Sequence, residues 1–164
     1  MKFTPGFSKF HMSKMKNLAL LLVFFCGASA FAGEGIEDKL KLILEKNPNF
    51  SMLAVVFNSS THTPDQIPNS VKGVTIAKVP LASLRDVATT LNKGLLANYD
   101  VQGIYLMDDK KKLVTNSRTV KYIVKLGLKK GFMTFSDAED LDVKVTGRIA
   151  MKDGKLGIEL ADDQ

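Results

Sequence analysis

The sequence predicts an α/β fold, with a three-layer, mostly parallel sheet followed by a C-terminal antiparallel β-hairpin. Short apolar runs alternate along the chain with amphipathic stretches, which is typical of strands and helices that build a parallel sheet. The run at residues 52–57 contains no polar position, as in a strand that is covered on both faces. In contrast, apolar and polar residues alternate on both sides of Asp153-Gly154, which indicates two antiparallel strands joined by a two-residue turn.

Residues 1–32 are predicted to be a secretory signal peptide. Lys14 and Lys16 precede an apolar run at residues 18–26, and small residues follow this run. A positive start, a short apolar run and an Ala-x-Ala pattern are the three parts of such a signal. The apolar run is too short for a membrane span, which needs about 20 apolar residues. We therefore expect cleavage after Ala30 or after Ala32.

Residues 33–164 are predicted to form a single α/β domain in the periplasm, with little net charge and no thiol. The whole chain has 23 basic and 17 acidic residues, which gives a formal charge of +6. Residues 1–32 contain four lysines, no acidic residue and the only cysteine, Cys26, so the remaining residues carry a charge of +2. This composition excludes disulfides and cysteine-ligated metals from the domain, and it argues against a nucleic-acid partner.

An amphipathic helix, a buried strand and a long loop are predicted in the first part of this domain. Apolar residues recur at helical spacing from Ile36 to Leu44. The helix is expected to stop at Asn47-Pro48, because the residue before a proline disfavours helical backbone. After the strand, residues 58–72 are polar and include two prolines. They predict a long loop, or a loop with a short helical turn, in place of the helix expected between the first two strands.

The remaining strands and helices alternate as a parallel sheet requires. The predicted elements are a strand at 74–79, a helix from Ser83 to about Asn98, a strand at 103–107, a helix at 117–130 and a strand at 132–135. Their expected buried stripes are Leu84, Val87, Leu91 and Leu95 on the first helix and Val120, Ile123, Val124 and Leu128 on the second. In the C-terminal hairpin, the turn sets a register in which Ile149 opposes Ile158 and Arg148 opposes Glu159.

Polar residues follow three of the predicted strands, at the points where the strands end. In open parallel sheets, ligands bind beyond the carboxyl ends of the strands. The candidate ligand-binding residues are Asn58, Ser59 and Ser60 after the first strand, Asp108 after the third, and Ser136 and Asp137 after the fourth. Their hydroxyl, amide and carboxylate groups suit a small polar ligand. The alternative is that these residues only form turns and caps, for which the same residue types are preferred.

The residues of this domain argue against an enzyme. Its single histidine, His62, lies in the long loop close in sequence to Ser59, Ser60 and Asp65, and such close neighbours seldom form a catalytic triad. The Gly-x-Ser-x-Gly motif of many hydrolases does not occur. We therefore expect no catalytic residue, no metal site and no cofactor. A small hydrolase that uses His62 is the weakest of the alternatives.

Three segments resemble the α/β lobe of the ABC-transporter substrate-binding proteins that import aromatic amino acids and similar small molecules. They are residues 52–58 (MLAVVFN), 101–108 (VQGIYLMD) and 115–136, which begin TNSR and end FMTFS. In that family, strands end in an Asn-containing dipeptide, in Asp and in Phe-Ser. The resemblance implies a periplasmic-binding-protein-like lobe, a ligand held between two such lobes, and a permease as partner.

Residues 113–160 also resemble the YfiR-type family of periplasmic regulators, which are single small α/β lobes. The segment MTFSD at residues 133–137, followed by a β-hairpin, matches the order of elements in that family, whereas its Trp-Pro motif and its cysteines are missing. The resemblance implies a protein that binds and restrains a membrane-bound signalling enzyme from the periplasmic side. The length of residues 33–164 fits one lobe better than two.

Together these observations predict an exported, non-enzymatic periplasmic regulator or small-ligand-sensing module of YfiR type. The alternative is a substrate-binding component, or a degenerate single lobe, of an ABC importer. The expected partners are an inner-membrane signalling protein or a permease, a small polar ligand and, where two lobes are needed, a second copy of the chain. Nucleic acid is not expected to be a partner.

Overall fold

The protein folds around one mixed, mostly parallel β-sheet. The structure, a computed structural model, describes residues 35–161, so the predicted signal peptide and its cleavage positions lie outside the described residues. The strands are β1 (Met52–Asn58), β2 (Ser70–Val71), β3 (Val74–Leu81), β4 (Gly103–Leu106), β5 (Met133–Ser136), β6 (Gly147–Lys152) and β7 (Lys155–Leu160). The helices are α1 (Ile36–Lys46), α2 (Asp86–Thr89, continued by a wider π turn at Thr90–Leu95) and α3 (Ser117–Lys130).

The strands lie in the order β2-β3-β1-β4-β5-β6-β7. β1 pairs in parallel with both β3 and β4, and the parallel pairing continues through β5 to β6. β2 and β7 pair antiparallel with their neighbours and form the two edges of the sheet. The predicted α/β class with a mostly parallel sheet is therefore confirmed.

Alternate residues of the central strand β1 enter two separate buried clusters. Leu53, Val55 and Phe57 pack with residues of α1. Ala54 and Val56 pack with residues of α2 and α3. Since successive side chains of a strand point to opposite faces, both faces of β1 are buried, and this is why the run has no polar position.

Two residues that the sequence places in buried stripes are exposed. Leu84 is 47% exposed because α2 begins only at Asp86, which leaves Leu84 in the preceding turn. Leu128 is 85% exposed because Gly127 takes the inward position on α3. The helix lies so close to the following segment there that a Cβ atom at Gly127 would be 2.7 Å from the backbone oxygen of Phe132. The inward stripe of α3 therefore ends on a glycine.

The loop at residues 58–72 contains two short elements of its own. A 3₁₀ turn spans Pro64–Gln66, and the side chains of Thr63 and Gln66 cap it reciprocally. Strand β2 follows and pairs with the start of β3. The predicted short helical turn in this loop is confirmed, and no longer helix occurs between β1 and β3.

β6 and β7 pair antiparallel, and the register is the one that the sequence predicts. Ile149 lies opposite Ile158, and Arg148 lies opposite Glu159. The connecting residues Asp153 and Gly154 have φ angles of 52° and 73°. Positive φ at both central residues is the backbone that a two-residue type I′ turn requires.

Candidate functional site

A cleft of about 860 Å³ lies at the carboxyl ends of β4 and β5. β3 lies on one side of β1 and β4 lies on the other side. The direction in which successive strands are added to the sheet therefore reverses between β1 and β4. In open α/β sheets, this reversal leaves a crevice in which ligands bind. The cleft is lined by residues of α1, of the loop at residues 58–72, and of the segments that follow β4 and β5.

Asn58 and Asp109 form a buried hydrogen-bonded pair that joins the ends of β1 and β4. The Asn58 side-chain amide donates to Asp109 Oδ1 at 2.9 Å. The backbone amides of Leu113 and Val114 donate to the two oxygens of the same carboxylate, at 3.1 and 2.9 Å. Asn58 is 1% exposed and Asp109 is 3% exposed. This pair fixes the segment after β4, and Asp109 also lines the cleft.

The hydrogen bonds around Asp109 keep its carboxylate ionised. Burial by itself raises the pKa of Asp109, because a charge is less stable away from water. The hydrogen bonds from Asn58 and from the backbone amides of Val114, Leu113 and Lys111 act in the opposite direction and outweigh burial. The pKa of Asp109 is therefore lower than its ordinary value.

Three other predicted site residues also form hydrogen bonds with neighbouring groups of the protein. The Ser59 hydroxyl donates to the Leu81 carbonyl at 3.1 Å, and the Ser60 hydroxyl donates to Asn58 Oδ1 at 2.8 Å. Ser136 is fully buried and donates to the Leu106 carbonyl at 3.1 Å. With Asn58, these residues make contacts that are typical of turn and cap residues, and none of them lines the cleft.

Asp108 and Asp137 are the predicted site residues that do line the cleft. The backbone amide of Asp108 donates to Asp137 Oδ1 at 2.7 Å, which brings the ends of β4 and β5 together. The exposed Asp108 carboxylate accepts a hydrogen bond from the Thr115 hydroxyl at 3.1 Å. The carboxyl ends of these adjacent parallel strands thus bring Asp108 and Asp137 into contact.

Lys39 of α1 completes this group from the other side of the cleft. Its ammonium forms a salt bridge with Asp137 Oδ2, and the two side chains are 26% and 11% exposed. The contact links residues that are 98 positions apart in the chain. Because both side chains are largely shielded from water, removing either partner would leave a partly buried charge without its counter-charge.

Tyr105 of β4 lies beneath the carboxylates and is fully buried. Burial raises the pKa of Tyr105 well above its ordinary value, and the negative charge and hydrogen bonding of Asp137 raise it further. The phenol therefore stays protonated at neutral pH and remains a hydrogen-bond donor at the floor of the cleft.

His62 forms part of the opposite wall. Its backbone amide donates to the Asn58 carbonyl at 3.0 Å, so the buried Asn58 also positions the start of the loop. The ring Nδ1 is 2.9 Å from the Thr61 hydroxyl. Within residues 35–161, no hydrogen bond joins the His62 ring to Ser59, Ser60 or Asp65. The neighbours from which a triad could be drawn are therefore not assembled around it.

The sequence reasoning missed Lys39 and Tyr105. Lys39 was only one of several charged residues on the polar face of α1, and nothing in the local pattern showed that this face meets the end of β5. For Tyr105 the sequence contained one weak indication of a polar contact, because Tyr105 is the only residue of β4 with a polar side-chain atom. A tyrosine in an otherwise apolar strand usually needs a hydrogen-bond partner.

No part of the described chain provides a metal site or a membrane span. Among residues 35–161, no three Asp, Glu, His or Cys side chains are grouped so that they could hold a metal ion. Each helix within the same range is too short or too polar to cross a bilayer.

A scan against protein-family models and a search of the curated proteins both find no match to this chain.

Proposed function

We propose that this protein is an exported, non-enzymatic periplasmic regulator of YfiR type whose cleft senses a small polar ligand. The observation that carries this proposal is the cleft of about 860 Å³ at the reversal of the strand order, with groups of both charges in its wall. Its volume lies within the range of about 300–1,000 Å³ that is typical of small-molecule sites.

The groups in the cleft favour a ligand with both a cationic and an anionic group. Asp108 is exposed and offers a carboxylate to a cation. Among residues 35–161, Asp137 is the only residue that pairs with the Lys39 ammonium, so an anionic group can approach its remaining N–H donors. A ligand that competes for either member of the Lys39–Asp137 pair would loosen α1 from the end of β5. We propose this movement of α1 as the signal that a protein partner reads.

We further propose that the fold is a single three-layer lobe of the periplasmic-binding-protein type, with β6 and β7 as its C-terminal hairpin. The two buried clusters support this interpretation, because one contains residues of α1 and the other contains residues of α2 and α3. The partner would be an inner-membrane signalling protein, reached after cleavage of the signal peptide at Ala30 or Ala32.

Ligand binding is tested by thermal unfolding in the presence of defined compounds. The probes are free amino acids, dicarboxylates and polyamines. We expect a zwitterionic amino acid to raise Tm, and we expect Lys39→Met and Asp108→Asn to remove the shift. Lys129→Met is the matched control, because Lys129 is exposed at the end of α3 and outside the cleft. No shift with any probe would count against a sensing cleft.

The protein partner is tested by crosslinking in native inner membranes. We expect to recover a membrane-bound signalling enzyme, and recovery of a transport permease would instead favour the ABC-importer alternative. Activity of the purified chain on ester or phosphate substrates, abolished by His62→Ala, would favour the hydrolase alternative. Recovery of no membrane protein would contradict the regulatory proposal.

A further inference from the structure

The outer edge of β7 pairs with no other strand within residues 35–161. The Ala161 amide donates to the Thr146 carbonyl at 2.9 Å. Ala161 therefore belongs to a hydrogen-bonded pair with Thr146. Because such pairs alternate along an antiparallel ladder, every second residue of β7, counted back from Ala161, directs its backbone groups toward β6. The residues between them direct their backbone N–H and C=O groups outward, and these are Leu156, Ile158 and Leu160.

We propose that two copies of this chain pair through their β7 strands, antiparallel, about a two-fold axis at Gly157. In this register, Leu156 of one copy lies opposite Ile158 of the other. Both residues direct their backbone groups outward, so each such pair forms a complete hydrogen-bonded pair of the antiparallel ladder. A two-fold axis makes the interface isologous, which closes the assembly at a dimer.

Charge complementarity selects this register and this partner. Lys155 of one copy lies opposite Glu159 of the other, in the more closely spaced type of antiparallel pair. Within one chain, Lys155 instead lies opposite Lys152, which is an unfavourable pair of like charges. No salt bridge within residues 35–161 includes Lys155 or Glu159. A second copy therefore supplies the acidic neighbour that Lys155 lacks.

A lysine on an edge strand ordinarily discourages pairing with other chains. On β7, however, Glu159 follows Lys155 by four residues. Only an antiparallel strand with a lysine and a glutamate at the same spacing places an opposite charge next to each of them. The apolar residues add to the interface, because Leu156 and Ile158 pack against the cluster around α1 and are only partly buried in one copy. Pairing places these side chains of the two copies next to each other on one face of a continuous sheet.

The first test measures the association of the full 164-residue chain by sedimentation velocity over a range of concentrations. We expect a dimer whose dissociation constant rises about tenfold or more in Lys155→Glu and in Glu159→Lys, because each change places like charges opposite each other across the axis. The double variant exchanges the two charges and should restore the dimer. Glu159→Lys places a lysine opposite Arg148 within its own chain, which weakens the β6–β7 pair. Lys155→Glu instead places an acid opposite Lys152, so its loss of dimer cannot be attributed to a weakened β6–β7 pair.

The second test locates the axis. A Cβ atom at Gly157 would meet only the Ala150 oxygen, at 3.8 Å, so Gly157→Cys fits the fold. Opposed residues of this type are about 4.5 Å apart between Cα atoms, which permits a disulfide. In a Cys26→Ser background, Gly157→Cys should crosslink under mild oxidation, whereas Lys155→Cys should not. A monomer at every concentration, a dimer indifferent to the charge changes, or equal crosslinking of both cysteine variants would overturn the proposal.

Discussion

Asn58→Ala tests whether the buried pair with Asp109 holds the cleft together. The change removes the amide that donates to Asp109 Oδ1 at 2.9 Å, and the Asp109 carboxylate stays buried with only its backbone donors. It also removes the acceptor of the Ser60 amide and of the Ser60 hydroxyl, and because Ser60 is an exposed residue both groups can bond to water instead. The stability effect therefore comes mainly from the lost bond to the carboxylate.

A hydrogen bond to a charged group contributes about 1.5–3 kcal/mol, so we expect Asn58→Ala to lower the free energy of unfolding by about 2–3 kcal/mol. The assay is urea unfolding at pH 7, followed by circular dichroism. Ser59→Ala is the matched control, because Ser59 is the exposed neighbour, and its effect should stay within about 0.5 kcal/mol. A loss below about 0.5 kcal/mol in Asn58→Ala would refute the reasoning.

The same variant changes the dependence of stability on pH. Since the pKa of Asp109 is lowered in the folded protein, its ionisation stabilises the fold fully above the unfolded value of about 3.9. That stabilisation is lost as the pH falls through the folded pKa. Without the Asn58 amide, the folded pKa of Asp109 should rise. We therefore expect Asn58→Ala to lose less stability than the parent chain as the pH falls below the unfolded value, because the gap between the unfolded and folded pKa of Asp109 is narrower.

Three further predictions concern packing and ionisation. Gly127→Ala should cost about 1–3 kcal/mol in urea unfolding, because its Cβ would lie 2.7 Å from the Phe132 oxygen, whereas Gly94→Ala, which has open space, should not destabilise. In an alkaline absorbance titration, one of the three tyrosines should ionise well above the ordinary pKa, and Tyr105→Phe should remove that late phase. Leu128→Lys should change stability by less than about 0.5 kcal/mol, since Leu128 is 85% exposed, and a larger loss would contradict its assignment to the surface.

Much of the fold could be predicted because it depends on local patterns. The end of α1 before Pro48, the buried run of β1 and the register set by Asp153-Gly154 each follow from residues within one element. The errors at Leu84 and Leu128 have a different origin. They depend on where a helix begins and on how closely it approaches the next segment, and neither is encoded in the spacing of apolar residues.

The candidate site could be predicted only in part. The carboxyl ends of adjacent parallel strands must meet, so the pairing of Asp108 with Asp137 follows from topology. The burial of Asn58 and Ser136 does not follow, because it depends on how the neighbouring loops fold over the strand ends. The contact of Lys39 with Asp137 could not be predicted from local patterns, because the two residues are 98 positions apart in the chain.

The carboxylate of Asp109 has a consequence for hydrogen exchange in the cleft. The amides of Leu113 and Val114 belong to a connecting segment, yet both donate to a buried anion that is itself tied to the central strand. Their protons should exchange as slowly as those of a strand, because releasing them requires the core to open. The loop that carries Thr61 and His62 is held instead by its capped turn at Pro64–Gln66, by the buried Ile67 and by the pairing of β2 with β3. The wall of the cleft that is built on Asp109 is therefore held in place by the stability of the core.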